Sequence, residues 1–299
     1  MTGQVVCIGD VMIDVLARLD ESPGEIRHGS DSPATITVFS GGSAANTAAW
    51  LAAAGVDVTL CGVVGADDEG AARRAELEAH GVRCAVRSAA GARTGSIVVI
   101  AERTERTMLA DRAANLLLEP ADVDAAVAAA GCVHLHLSGY PLLDAQSHAA
   151  AAHALAEARR RGWTTSVDAA SAGPLRRAPG FLDWVRGSDV LFANADEAEV
   201  LVGAPAPPAE LAAALAKQVR VAVVKLGAAG ALACVDSSVI EVPAVAAEAV
   251  DATGAGDAFA AGFLAAYLRQ EGLAAALAAG TELGARAVST VGARPVRRA

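Results

Sequence analysis

Short aliphatic runs alternate with alanine-rich stretches along most of the chain, and this alternation limits the possible folds more than any other feature. "QVVCIG" (residues 4–9) reads as a strand, residues 43–54 as a helix, "VDVTLCGVV" (56–64) as a strand and about 68–80 as a helix. "CVHLHL", a long helix over 144–161, "TTSVDA", "DVLFAN" and "VRVAVVKL" continue the series. Strands separated by helical segments predict an α/β fold, a mainly parallel sheet covered by helices on both faces. The 299 residues are 54% hydrophobic but only 3% aromatic, a composition that suits alanine-rich helices lying close to a sheet. Two segments, about 11–40 and 94–111, break the rhythm with strand-like runs and no helix between them. We expect them to form a small antiparallel β-sheet lid on a single domain spanning 1–299. "GAPAPPAE" (203–210) reads as a Pro-rich surface loop.

The formal charge of −10 argues against a nucleic-acid partner, because phosphate contacts need basic surface. Lysine occurs only at Lys217 and Lys225, so a phosphate site must draw on arginine, a metal or backbone N–H groups. No apolar run approaches the ~20 residues of a membrane span, and the opening "MTGQVVCIGD" lacks the pattern of a secretion signal. A cytoplasmic protein with no membrane partner is expected. Cys7, Cys61, Cys84, Cys132 and Cys234 show no CxxC spacing and read as buried reduced thiols.

Chemistry concentrates in "DATGAGDAFAAGF" (251–263), where Gly254, Ala255 and Gly256 precede Asp257 at the start of a helical pattern. A helix N-terminus exposes unpaired N–H groups and a positive dipole end, which together attract anions. Glycines there admit a phosphate close to the backbone. Asp257 beside it could take the proton of an attacking hydroxyl, or merely complement the dipole. The Walker pattern is absent, and "GDVMID" stands where a dinucleotide GxGxxG would follow the first strand.

That motif, together with "GGSAANTAAWLAAAG" (41–55), resembles the two signatures of the ribokinase-like (PfkB) carbohydrate kinases, in their usual order and over essentially the whole chain. The resemblance implies a three-layer α/β/α body with a mainly parallel central sheet. It also implies ATP-dependent phosphorylation of a sugar-like hydroxyl, expected to be primary. Asp257 is then the base and the 254–256 amides the anion hole. Gly41, Gly42 and Asn46 approach the sugar, and Asp14 in "GDVMIDV" offers a carboxylate to its hydroxyls. Ala252 stands where the family often has Thr.

Other stretches have a local reading beside the family one. "NADEAEV" (194–200) is a capping box, Asn194 with Glu197. The family uses the same pattern to organise Mg²⁺ and the nucleotide phosphates, with Glu197 acting through water. "KLGAAGA" (225–231) reads as a β-turn, and by resemblance as nucleotide pocket through Lys225, Gly227 and Gly230. Adenine is then expected against the helix over 273–291, near Thr281, with Gly256 also facing the nucleotide. Asp251 and Thr253 match positions where the family binds a monovalent cation such as K⁺ through oxygens. His134 and His136 share one strand face and read as structural. Arg103 and Arg106 in the expected lid read as solvated rather than as phosphate ligands. Asp10 reads as a strand end.

Ribokinases proper carry Asn, Lys and Glu where this chain has Met12, Ser43 and Ser138, so ribose is not the expected acceptor. We expect a monosaccharide or related polyol, with a nucleoside or sugar phosphate as the alternative. Lid strands of this kind suggest a homodimer. A dinucleotide-dependent oxidoreductase and a non-catalytic sugar or nucleotide sensor are the rival classes.

Overall fold

The computed structural model describes residues 4–19, 26, 29–102, 105–128 and 131–296. The expected long strands are present, and they sort into two sheets. The larger contains β1 (Gln4–Ile8), β4 (Val58–Gly65), β5 (Arg83–Ala89), β8 (Cys132–Ser138) and β9 (Thr164–Asp168). It continues through β10 (Val190–Asn194), β11 (Val221–Lys225), β12 (Ala231–Val235) and β13 (Ser238–Val242). Their spatial order is β13-β12-β11-β10-β9-β8-β1-β4-β5. All neighbours from β5 to β11 run parallel, and only β12 and β13 are antiparallel.

Strands β1, β4, β10 and β11 are apolar at most positions because both sheet faces are covered. Val6, Ile8, Leu135 and Leu137 join the core on one face. Val5, Cys7, Val190 and Phe192 join the core on the other, with Phe259 and Phe263 of the penultimate helix (Ala255–Leu268). Chain order runs outward from β1 through β4 to β5, then from β8 through to β11 in the opposite direction. The strand order therefore reverses between β1 and β8, and α/β sheets of this kind bind ligands at such a switch point, beyond the carboxyl ends of the strands.

The segments that broke the rhythm form a separate sheet in the order β3-β2-β6-β7. It comprises β2 (Met12–Leu19), β3 (Ala34–Gly41), β6 (Gly95–Glu102) and β7 (Glu105–Asp111). The pairing is not wholly antiparallel as expected, because β2 and β6 run parallel. A helix-containing crossover separates them in sequence, and parallel neighbours need such a connection. Asn115 fastens this sheet to the body: its side chain accepts from Val11 N at 2.9 Å and donates to Val11 O at 3.1 Å.

Helix α1 (Ser43–Ala53) follows β3, and α2 (Asp68–Ala79) follows β4. The helix expected over 144–161 begins later, at His148. All five cysteines are free, and only Cys84 is not fully buried. Among the described residues no helix is long and apolar enough to cross a membrane.

Candidate active site

The penultimate helix starts beside the sheet's carboxyl edge. Its N-cap, Gly254, has φ +74°, and no side chain caps the turn. A Cβ at this position would stand 2.6 Å from Ala293 O, so both backbone conformation and space require glycine. Trp50 of α1 donates to the same Ala293 carbonyl at 3.0 Å, and Gly292 N donates to Asp251 at 3.1 Å. The segment 292–294 therefore braces the turn from behind. The Ala255 amide donates to Ala252 O at 3.3 Å, so one of the three expected anion-hole amides already takes part in the turn.

Lys225 ends β11 with its Nζ 3.1 Å from where a Gly256 Cβ would lie, and 2.8 Å from Asp168 Oδ2. Burial disfavours the ammonium, yet Asp168 and Glu197 outweigh it and hold the group above the usual lysine range. Burial opposes the Asp168 anion too, but Lys225 keeps it below the usual carboxylate range. A helix N-terminus that no side chain caps, with a fixed cation beside it, is anion-binding chemistry.

Asp257 sits in the first turn of the same helix and faces α1. Its Oδ1 accepts from Ser43 Oγ and its Oδ2 from Asn46 Nδ2, both at 2.9 Å. Burial, followed by the Asp168 charge, pushes this carboxyl up to about 7 against the opposing hydrogen bonds and Lys225. A carboxylate near neutral pKa is a far better proton acceptor than an ordinary aspartate.

Asp10 and Asp14 lie at the same N-terminal end of α1. Asp10 accepts from Ser43 N at 3.1 Å and Ala44 N at 3.4 Å, so it closes the first turn of α1 as well as ending the β1 segment. Ser43 does not cap the helix; its hydroxyl turns to Asp257 instead. Asp14 on β2 lies against Gly41, where a Cβ would fall 2.1 Å from Asp14 Oδ1. That oxygen is buried without a hydrogen-bond partner among the described residues, an arrangement that calls for a donor from outside the protein. Burial first, then Asp10, push the Asp14 carboxyl up to about 6, with Arg294 opposing. Arg112 lies 3.4 Å from Asp10 and 3.6 Å above the Tyr140 ring, a cation–π contact. Gly42 precedes α1 directly.

Asn194 and Glu197 form the reciprocal capping box. Glu197 N donates to Asn194 Oδ1, and Glu197 accepts from both Asn194 N and Asn194 Nδ2, each at 2.8 Å. Burial pushes Glu197 up to about 7 despite Lys225. Both of its oxygens are in use, which suits a cation reached through water rather than a direct bond. Asp251 Oδ1 accepts from Thr253 N at 3.0 Å and Thr253 Oγ1 at 2.7 Å. Gly227 begins and Gly230 ends the short turn between β11 and β12. Thr281, on the last helix (Leu273–Val288), is buried and donates to Ala278 O at 2.9 Å.

His134 and His136 share a face as expected and are both tied to Ser166 at 2.8 Å. No group of three metal-ligating side chains converges among the described residues. Arg103, and the side chain of Arg106, lie outside the described residues. Asp168, Arg112 and Arg294 went unremarked in the sequence. Asp168 had a usable signal, a carboxylate directly closing a β-branched strand at the sheet's binding edge. The two arginines carry no local pattern.

The chain resembles kinases of several acceptors. It is 32% identical to the ATP-dependent ribose-1-phosphate kinase of Halopiger xanaduensis, over 97% of this chain and 94% of that protein. It is 29% identical to a fructokinase of Klebsiella pneumoniae, over 89% and 84% of the two chains. The crystal structure of adenosine kinase from Sinorhizobium meliloti superposes with a TM-score of 0.88 at 27% identity, covering 99% of this chain and 97% of the other. Residues 2–298 match the pfkB family carbohydrate kinase model, and the chain belongs to that family of kinases.

Proposed function

We propose that the protein transfers the γ-phosphoryl group of ATP to a primary hydroxyl of a sugar or close relative. One observation carries this reading: Asp257 joins the two signatures, standing in the glycine turn while Ser43 and Asn46 of the other motif grip both its oxygens. The acceptor hydroxyl lies between Asp257 and the turn, with Asp14 receiving its other hydroxyls and Gly41 and Gly42 leaving room for the ring. Asp257 orients the attacking oxygen and takes its proton. The Gly256 region and Lys225 meet the charge on the migrating phosphoryl group.

ATP extends along the carboxyl edge past Gly227 and Gly230, with adenine near the last helix and Thr281. Glu197 would hold Mg²⁺ through the ion's own waters. When bound, the ion neutralises phosphate charge. Asp251 and Thr253 supply oxygens for a monovalent cation such as K⁺. The small sheet, which carries Asp14 and leads into Gly41, acts as the lid that excludes water. Its exposed Ile36, Val38, Met108 and Leu109 support pairing with a second copy. Use of ATP fits a cytoplasmic enzyme.

Arg112 and Arg294 already face Asp10 and Glu76 respectively, which favours an uncharged acceptor over a sugar phosphate. The test is ADP release from ATP and Mg²⁺ across sugars, nucleosides and sugar phosphates, with and without potassium. An uncharged polyol should give the highest kcat/KM. Turnover only with phosphorylated sugars would overturn the acceptor class. Asp257→Asn should lower kcat about 10³-fold with acceptor affinity largely kept, and near-normal turnover would refute the base.

A further inference from the structure

The Arg294 guanidinium has a side-chain exposure of only 5%, and it spends its donors on three separate elements. Nη2 donates to Gly41 O at 3.1 Å, Nε to Asn46 Oδ1 at 3.4 Å and Nη1 to Glu76 Oε1 of α2 at 3.1 Å. Glu76 in turn accepts from Ser40 Oγ, at the end of β3. The Asn46 amide is thus sandwiched between a group that can only donate and a carboxylate that, ionised, can only accept. Arginine offers no acceptor and keeps its charge, so Asn46 must present Oδ1 to Arg294 and Nδ2 to Asp257. Without Arg294 the amide can turn over, and Asp257 can lose one of the two hydrogen bonds that hold it.

We propose that Arg294 is a positioning residue: with one rigid fork it sets the Asn46 amide toward Asp257 and holds the Gly41 carbonyl of the acceptor loop. The inference rests on Asp257 as the base. It extends that reading to a residue that lies outside both signatures and 248 positions from Asn46.

Two readouts test it on the full chain. The first is the titration of the Asp257 carboxyl by ¹³C NMR, its signal identified by its loss in Asp257→Asn. Around Asp257 stand Ser43 and Asn46 of α1, Asp168 of β9 and Lys225 of β11. A hydrogen bond to the anion lowers its pKa, so Asn46→Ala and Arg294→Met should each raise the midpoint, by about one pH unit. The second is kcat for ADP release with ATP and whichever of fructose, adenosine or ribose 1-phosphate turns over fastest. Arg294→Met should lose about 10²-fold, as expected of a misplaced catalytic group, with KM for ATP unchanged. The Asn46→Ala/Arg294→Met double variant should be no worse than either single one, because the two act as a unit. Arg294→Lys keeps the charge beside Glu76 but not the fork, and should show the same titration shift in a folded protein if Arg294→Met proves unstable.

An unshifted midpoint in both Arg294 variants, or fully additive losses with Asn46→Ala, would overturn the positioning role. Normal turnover in Asp257→Asn would instead remove the base assignment. The titration result does not depend on turnover, so the two failures are distinguishable.

Discussion

At the proposed acceptor end of the site, Asp257 is held by Asn46 and Ser43, 211 and 214 positions away in sequence. At the proposed nucleotide end, Glu197 is held by Asn194, three positions away. Both carboxyls are pushed up to about 7 by burial, yet they are built differently. The Asp257 contacts exist only when the tertiary fold brings α1 to the penultimate helix. Those of Glu197 form with a single helical turn. Damage at the acceptor end should therefore appear in turnover, and damage to the capping box mainly in stability.

The largest effect that could break this contrast is at Lys225, which belongs to the nucleotide end but has a long-range partner, Asp168, 57 positions away. Lys225→Met removes the cation beside Gly256 and strands a buried carboxylate. Unfolding free energy should drop by about 3–5 kcal/mol, the usual result of breaking a buried pair from one side. Lys225→Met/Asp168→Asn should recover most of the stability in urea titrations but not the turnover. If the double variant regains activity, the lysine is only a structural partner. Next in size, Gly41→Ala drives a methyl into the Asp14 carboxyl. Steady-state kinetics should show the acceptor KM rising about tenfold, with KM for ATP within twofold.

The pH dependence sharpens the comparison because activity and stability should move in opposite directions. As the proposed base, Asp257 would have to be ionised to take a proton, so kcat/KM should fall as pH drops below about 7 and level off above it. For stability, both Asp257 and Glu197 hold protons in the folded protein that the unfolded chain has released. Their contribution is fully present below the ordinary carboxyl range and is lost as pH rises through about 7. Urea midpoints of the protein without nucleotide should follow that slope, and Glu197→Gln should flatten it. The smallest effect is Asn194→Ala, a lost cap that costs about 1 kcal/mol of unfolding free energy and lowers Tm by a few degrees.

Much of the architecture was legible because strands such as β1, β4, β10 and β11 are apolar on both faces and the longer helices are separable alanine-rich blocks. The direction of β6 against β2 was not, since a strand run shows its alternation but not its neighbour. Within the site, the Asn194–Glu197 box was readable from its spacing alone. Asp257, Asn46 and Asp14 were singled out through motifs, but the Asn46–Asp257 bond spans 211 positions and leaves no local trace. Asp168 offers one local sign, a carboxylate ending β9 at the sheet's carboxyl edge, but nothing beside it in sequence points to Lys225. Arg294, set in "GARP" among small residues, offers none.

The brace behind the glycine turn has a consequence for biosynthesis. Gly254 packs on Ala293, Trp50 reaches the same carbonyl, and Gly292 fastens Asp251. A nascent chain on the ribosome can complete β1 to β11 and still lack the surface against which that turn is shaped. Catalytic competence should therefore arrive late, only once residues 292–294 have cleared the exit tunnel, and a partly synthesised kinase would have little chance to hydrolyse ATP wastefully.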